Sequence, residues 1–214
     1  MHTIGLDDKY LKGPIADYSK PGVIGSAFNN YLRKSEFLKK ISNISAPEII
    51  SFKNKFLKVS QYFLDHLTKK KYTVYRGMAF DGLEELLKNS NIKIETSLKP
   101  VTSDPIDVYE LDLERKISLI NEINEKKPIV FDEGFMSTAL TERVSAESFD
   151  GKTMDHVFLT IEIPAGSKAL VLDYEGITNV PDEEEMLLAE RTKLKINSAK
   201  VVGNHYEIEA AVVK

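Results

Sequence analysis

Cysteine is missing from all 214 residues. That excludes disulfide scaffolds, thiolate zinc sites and cysteine nucleophiles. No apolar run approaches the ~20 residues that a bilayer-spanning helix needs. The first residues, Met1 to Asp8, lack the positive-then-apolar pattern of a secretory signal. A basic surplus is lacking too: 29 Lys and Arg stand against 33 Asp and Glu, a net charge of -4. Nucleic-acid binders neutralise phosphates with such a surplus, so nucleic acid is not the expected partner.

Familiar chemical signatures are also absent. Without GxGxxG or GxxxxGK[ST], neither a Rossmann site nor a P-loop is indicated. His2, His66, His156 and His205 are scattered, with no metal-ligand spacing and no HExxH. No metal is implied. There is no GxSxG elbow to support a serine hydrolase.

What is present reads as one α+β domain over residues 1–214, with helices first and antiparallel-rich strands after. Hydrophobic residues at 42% and charged residues at 29% suffice for a core of useful size. Apolar spacing predicts a helix within Val23–Ile41. A second starts at Ser45, where Ser45 and Glu48 form a capping box, and carries the stripe Ile49, Phe52, Phe56, Val59, Phe63 and Leu67. Further helices are expected over Asp81–Asn89 and Val108–Glu125. Strands are expected at Thr73–Arg76, Phe135–Ala139, Val157–Ile163, Ala169–Asp173, Glu183–Leu188, Lys193–Ile196 and Tyr206–Val213.

Three short stretches carry chemistry. Tyr75-Arg76-Gly77 ends a strand with a planar fork of donors suited to a phosphate, beside a glycine that lets backbone approach a ligand. Ser137-Thr138-Ala139 sets hydroxyls in an apolar strand, with Ser137 and Thr138 on opposite faces. Asp182-Glu183-Glu184-Glu185 runs into the apolar Met186-Leu187-Leu188, and Glu183 and Glu185 share a strand face. Like charges on one face cost stability unless something uses them. Glycosyl transfer uses such a pair, one carboxylate for an oxocarbenium-like cation and one for the acceptor. Singly, each stretch has an ordinary structural explanation: a surface ion pair, a hydroxyl bonded to neighbouring backbone, a solvated acidic loop.

In this order the three resemble the Arg-Ser-Glu class of mono-ADP-ribosyltransferases, as in the catalytic domains of bacterial binary actin-modifying toxins and C3-like exoenzymes. The resemblance extends to Tyr18-Ser19 and Asn29-Asn30-Tyr31, similar to the family's N-terminal helix, and to Phe149 and Lys152 after the serine strand. It departs at Ala139, where the family pattern has a serine, and near Val180, where an aromatic is usual. Residues 91–128 are longer than the family's spacing and read as a possible insertion that meets the target.

The resemblance implies N-terminal helices packed on a two-sheet β core around an NAD cleft. Arg76, with Gly77, Tyr18, Asn29, Ser137, Thr138, Phe149, Lys152 and Glu185, is expected at NAD. Ser137 is expected to orient Glu185, Glu185 to stabilise positive charge as nicotinamide leaves, and Glu183 to orient the acceptor and take its proton. Glutamate at 183 goes with arginine acceptors. A secreted or host-delivered toxin acting on a host protein, with actin a candidate and a separate translocation component possible, is the implied setting. The alternatives are an NAD glycohydrolase and a non-catalytic binding module with the same fold.

Overall fold

The computed structural model describes residues 54, 57, 60, 61, 63, 64, 67–92, 105–142, 156–172, 185–203 and 205–213. The helix expected over Val23–Ile41 lies outside them; of the one expected from Ser45, residues 54, 57, 60, 61, 63 and 64 are helical. Next come strand β1 (Tyr72–Ala79), helix α1 (Phe80–Leu87) and helix α2 (Pro105–Lys126). Strands β2 (Ile129–Phe131), β3 (Met136–Ala139), β4 (His156–Ile163), β5 (Ala169–Val171), β6 (Glu185–Leu188), β7 (Lys193–Val202) and β8 (His205–Val212) follow.

Period-two burial drives the sheet. In β4, Val157, Leu159, Ile161 and Ile163 are buried, whereas the intervening residues are at least partly exposed. The register sets Val74 and Met78 of β1 beside Ile161 and Val157, and Ile208 and Ala210 of β8 on the other flank. That sheet face is therefore mostly apolar, with Arg76 of β1, opposite Leu159, a charged exception. Helix α1 covers it with Leu83, Leu86 and Leu87, and α2 with Leu119, Ile120 and Ile123. Each such side chain, fully buried, contributes about 1.5–3 kcal/mol.

The strand order is β2-β7-β8-β4-β1-β3-β6-β5, one eight-stranded sheet, instead of the two sheets expected. All neighbours are antiparallel except β4 and β8. The distinction between one sheet and two rests on a single join. Eight residue pairs link β1 to β4, but one pair, Tyr75 and Ala139, links β1 to β3. Accumulated strand twist lets the two halves part on either side of that pair.

Side chains fasten the helical segments to the sheet. Phe63 and Phe135, each 1% exposed, stack with centroids 5.5 Å apart, which ties the first helical stretch to the residue preceding β3. Thr68 N–H donates to the Ser167 carbonyl at 2.9 Å, and Gly166 N–H to the Thr68 carbonyl at 2.6 Å. The φ of 81° at Gly166 suits glycine. Asn124 of α2 grips β7: its Nδ2 donates to the Ala199 carbonyl at 2.6 Å and its Oδ1 accepts the Ala199 N–H at 2.8 Å. This amide serves as strand partner just past the irregularity between Ile196 and Ser198.

Asn124→Leu is therefore expected to lower stability by about 1–3 kcal/mol, because both backbone groups of Ala199 lose their partner. A fall in the urea midpoint with unchanged helical signal would show it. An unchanged midpoint would mean that Ala199 is satisfied without Asn124.

Candidate active site

Residues that face each other on adjacent strands project to the same side of a sheet. Ala139 pairs with Tyr75 on one flank and with Glu185 on the other. Tyr75, Ala139 and Glu185 thus form one row across three strands. Ser137, two residues from Ala139, shares that face and pairs with Leu187, so it is diagonal to Glu185. Gly77, two residues from Tyr75, lies on the same face. The side opposite α1 and α2 therefore carries the serine and the glutamate, with the glycine on the strand beyond the serine.

Glu185 begins β6, and only 8% of it is exposed. A carboxylate is seldom so buried unless it has a task or a partner. It stands among Met186, Leu187 and Leu188, all fully buried, which keep water from that strand.

Arg76 and Thr138 take the other face. Thr138, 4% exposed, donates its Oγ1 hydrogen to the Met186 carbonyl at 2.6 Å, tying β3 to β6. Arg76 Nη1 donates to the Ser137 carbonyl at 2.7 Å. The guanidinium therefore bridges the two halves of the sheet where strand pairing has stopped.

Arg76 also lines a cavity of about 150 Å³ between α1, β1, β3 and the β2–β3 turn. Met78, Leu86, Phe131 and Met136 give it an apolar wall, and Glu85, Asn89, Asp132 and Glu133 a polar one. Three carboxylates would repel an anion, but two of them are paired with cations. Arg191 clasps Glu133 with Nε to Oε2 at 2.8 Å and Nη2 to Oε1 at 3.2 Å, and this hydrogen-bonded pair raises the arginine pKa further. Lys88 pairs with Glu85. Asp132 Oδ1 accepts the Gly134 N–H at 2.9 Å, which shapes the turn before β3. An arginine in a cavity neutralised around it suits a ligand that joins an anionic group to a flat apolar one.

The outer end of the sheet face that bears Ser137 and Glu185 carries Lys200, Glu207, His205 and Phe158. Hydrogen bonds from Lys200 and then His205 hold the Glu207 carboxyl below the usual carboxylate range. His205 meets the Phe158 ring edge-on at 5.1 Å.

Of the residues expected at the site, Arg76, Gly77, Ser137, Thr138 and Glu185 come together on three neighbouring strands. Tyr18, Asn29, Phe149, Lys152 and Glu183 lie outside the described residues. The cavity residues Glu85, Asn89, Asp132 and Glu133 escaped sequence reasoning. The proximity of Asp132-Glu133-Gly134 to the serine strand was the one available signal. No group of His, Asp and Glu that could hold a metal occurs among the described residues.

An arginine, a serine-threonine pair and a buried glutamate on adjacent strands of an α+β fold define the Arg-Ser-Glu transferase arrangement. A model of the ADP-ribosyltransferase exoenzyme family matches residues 12–214, and the chain belongs to that family. Solved structures agree on the fold. C3stau2 from S. aureus with NAD has 21% identity and a TM-score of 0.65, covering 97% of this chain and 88% of that one. Plx2a, an ADP-ribosyltransferase toxin from Paenibacillus larvae, has 20% identity and a TM-score of 0.63, covering 96% and 87%. The C3 exoenzyme of Clostridium limosum has 17% identity and a TM-score of 0.62, covering 97% and 86%. No curated protein sequence matches the chain.

Proposed function

We propose that this chain is a mono-ADP-ribosyltransferase that cleaves the nicotinamide–ribose bond of NAD and passes ADP-ribose to an arginine of a host protein. The observation that carries this reading is the buried Glu185 on the same sheet face as Ser137, with β3 alone between its strand and the β1 strand that bears Arg76. The structural likeness to C3stau2, solved with NAD, supports the co-substrate. Arg76, whose guanidinium reaches across the β1–β3 boundary to the Ser137 carbonyl, would take the pyrophosphate.

Glu185 would accept a hydrogen bond from the ribose 2′-hydroxyl and hold negative charge beside the ribose as nicotinamide leaves. Burial matters here, because electrostatic stabilisation is stronger where water is excluded. Ser137 would donate to Glu185 and fix its rotamer. Gly77 leaves room for the ring against the sheet. Glu183, in the residues just before β6, would orient the acceptor and take its proton. A guanidinium with pKa above about 12 needs a carboxylate at hand to become nucleophilic. Tyr18, Asn29, Phe149 and Lys152 complete the proposed NAD contacts. One catalytic domain delivered into a host cell, by a separate translocation component if one exists, belongs to the same proposal. So does a target-facing role for residues 91–128, whose α2 exposes Leu113 and Ile117 outward.

The test is labelled NAD with host-cell lysate, following both protein labelling and free nicotinamide. Glu183→Gln is expected to keep nicotinamide release and to lose labelling of arginine. Equal labelling by wild type and Glu183→Gln would remove the acceptor role. Nicotinamide release without any labelled protein would favour the glycohydrolase.

A further inference from the structure

Four strands lie between β2 and β3 in the sheet, and four between β6 and β7. In a flat sheet each pair would stand about 24 Å apart. Yet residues 132–135 alone join β2 to β3, and residues 189–192 alone join β6 to β7. Four residues between strand ends reach at most about 18 Å, so the sheet curls back on itself here. The two connections also run side by side. At one end Phe131 and Lys193 pair in the β2–β7 ladder; at the other Met136 and Leu188 pair in the β3–β6 ladder. They form twin straps from the half of the sheet that bears Arg76 to the half that bears Ser137 and Glu185. Arg191 fastens strap to strap. Its N–H donates to the Asp132 carbonyl at 2.9 Å, its guanidinium clasps the Glu133 carboxylate at 2.8 and 3.2 Å, and the guanidinium carbon lies 5.8 Å from the centre of the Phe131 ring. The φ of Arg191 is 57°, a left-handed conformation that favours glycine. Strain of this kind, kept at a bulky residue, points to a task for its side chain. That task is not stability: the side chain is 67% exposed, and exposed ion pairs contribute little to it.

We infer that Arg191 is a positioning residue, its clasp on Glu133 locking the two straps together and so fixing how Glu185 is set against Arg76. The inference rests on the transferase reading above. Glu185 lies at the start of the strand that feeds one strap, and Ser137 lies next to the start of the strand fed by the other. Slippage of one strap along the other therefore shifts these two residues relative to β1. A shift of about 1 Å in a reacting geometry is enough to lower a rate by up to ~10²-fold, even when its origin is far from the chemistry.

The test uses the full chain, measuring nicotinamide release at varied NAD and thermal melts for wild type, Arg191→Gly, Glu133→Ala and the double variant. Glycine adopts the observed φ without strain, so Arg191→Gly removes the clasp and leaves the turn at ease. Its thermal midpoint should hold, whereas kcat should fall about fivefold to thirtyfold. KM for NAD should stay within about twofold of wild type, because the clasp serves the reacting geometry and not ground-state binding. Glu133→Ala should show the same loss, and the double variant no more than either alone, as expected of two halves of one contact. Equal kcat in wild type and Arg191→Gly overturns the inference while leaving the transferase intact. A fall in kcat matched by a lowered midpoint overturns it too, since the clasp would then be merely structural. So does a rise in KM alone, which would place Arg191 at NAD. Losses that multiply in the double variant would show that Arg191 and Glu133 act separately. No cleavage of NAD by wild type would overturn the transferase reading, and this inference with it.

Discussion

Glu185→Gln is expected to lower NAD cleavage by about 10²–10³-fold while leaving the fold unchanged. Glutamine has nearly the shape of glutamate, keeps an oxygen for the ribose hydroxyl and removes the charge. A residue only 8% exposed in a fully paired strand should accept it without backbone movement. Loss of a buried carboxylate also removes a desolvation cost, so the thermal midpoint should hold or rise. The combination separates chemistry from stability: activity falls when stability does not. Nicotinamide release and thermal melts on the same preparation measure both. Activity within threefold of wild type would mean that the charge opposite the ribose comes from another group.

Arg76→Lys should be nearly as damaging, although it conserves charge. Arg76 is assigned two tasks, one seen and one proposed. Its Nη1 holds the Ser137 carbonyl at 2.7 Å, and the proposed task is the pyrophosphate. A lysine brings one compact charge and no planar fork, so it can serve one task but not both. A fall in kcat/KM of about 30-fold to 100-fold is expected, corresponding to about 2–3 kcal/mol for a charge-assisted bidentate contact. KM should rise if the pyrophosphate contact is the one lost, and kcat should fall if the serine strand shifts. Steady-state kinetics at varied NAD distinguish them. Wild-type kinetics for the lysine variant would remove both tasks from Arg76.

Much of this is legible in the residues, for identifiable reasons. The ordered set Arg76, Ser137-Thr138 and Glu185 sits on strands that turn out to be neighbours, because each stretch carries both a polar anomaly and a strand-like apolar flank. Alternation locates β4 and β8 to within a residue. Strand β2 escapes it: three residues after Pro128 are too few to show a period. The pattern of β7 ends at Ile196 but the strand runs to Val202, because the irregularity after Ile196 shifts the alternation by one. The parallel pairing of β4 with β8 joins segments far apart in the chain, which no local pattern encodes. The cavity acids look like ordinary surface charge. Only their partners, Arg191 for Glu133 and Lys88 for Glu85, reveal how they can border an anion. That residues 75, 139 and 185 stand abreast comes from the register, which sequence alone does not state.

The single ladder pair between β1 and β3 has a mechanical consequence. Each half of the sheet is a stiff plate, with ladders of many bonds inside it. Among the described residues, one ladder pair, one guanidinium and the apolar core shared by Met78 and Met136 hold the boundary between them. Arg76 belongs to one plate and Glu185 to the other. On the reading proposed above, the separation between pyrophosphate anchor and reacting ribose is set across that boundary. Tension on a co-substrate gripped at both ends would be shared with it, and the stiffness of its contacts decides how much reaches the bond that breaks.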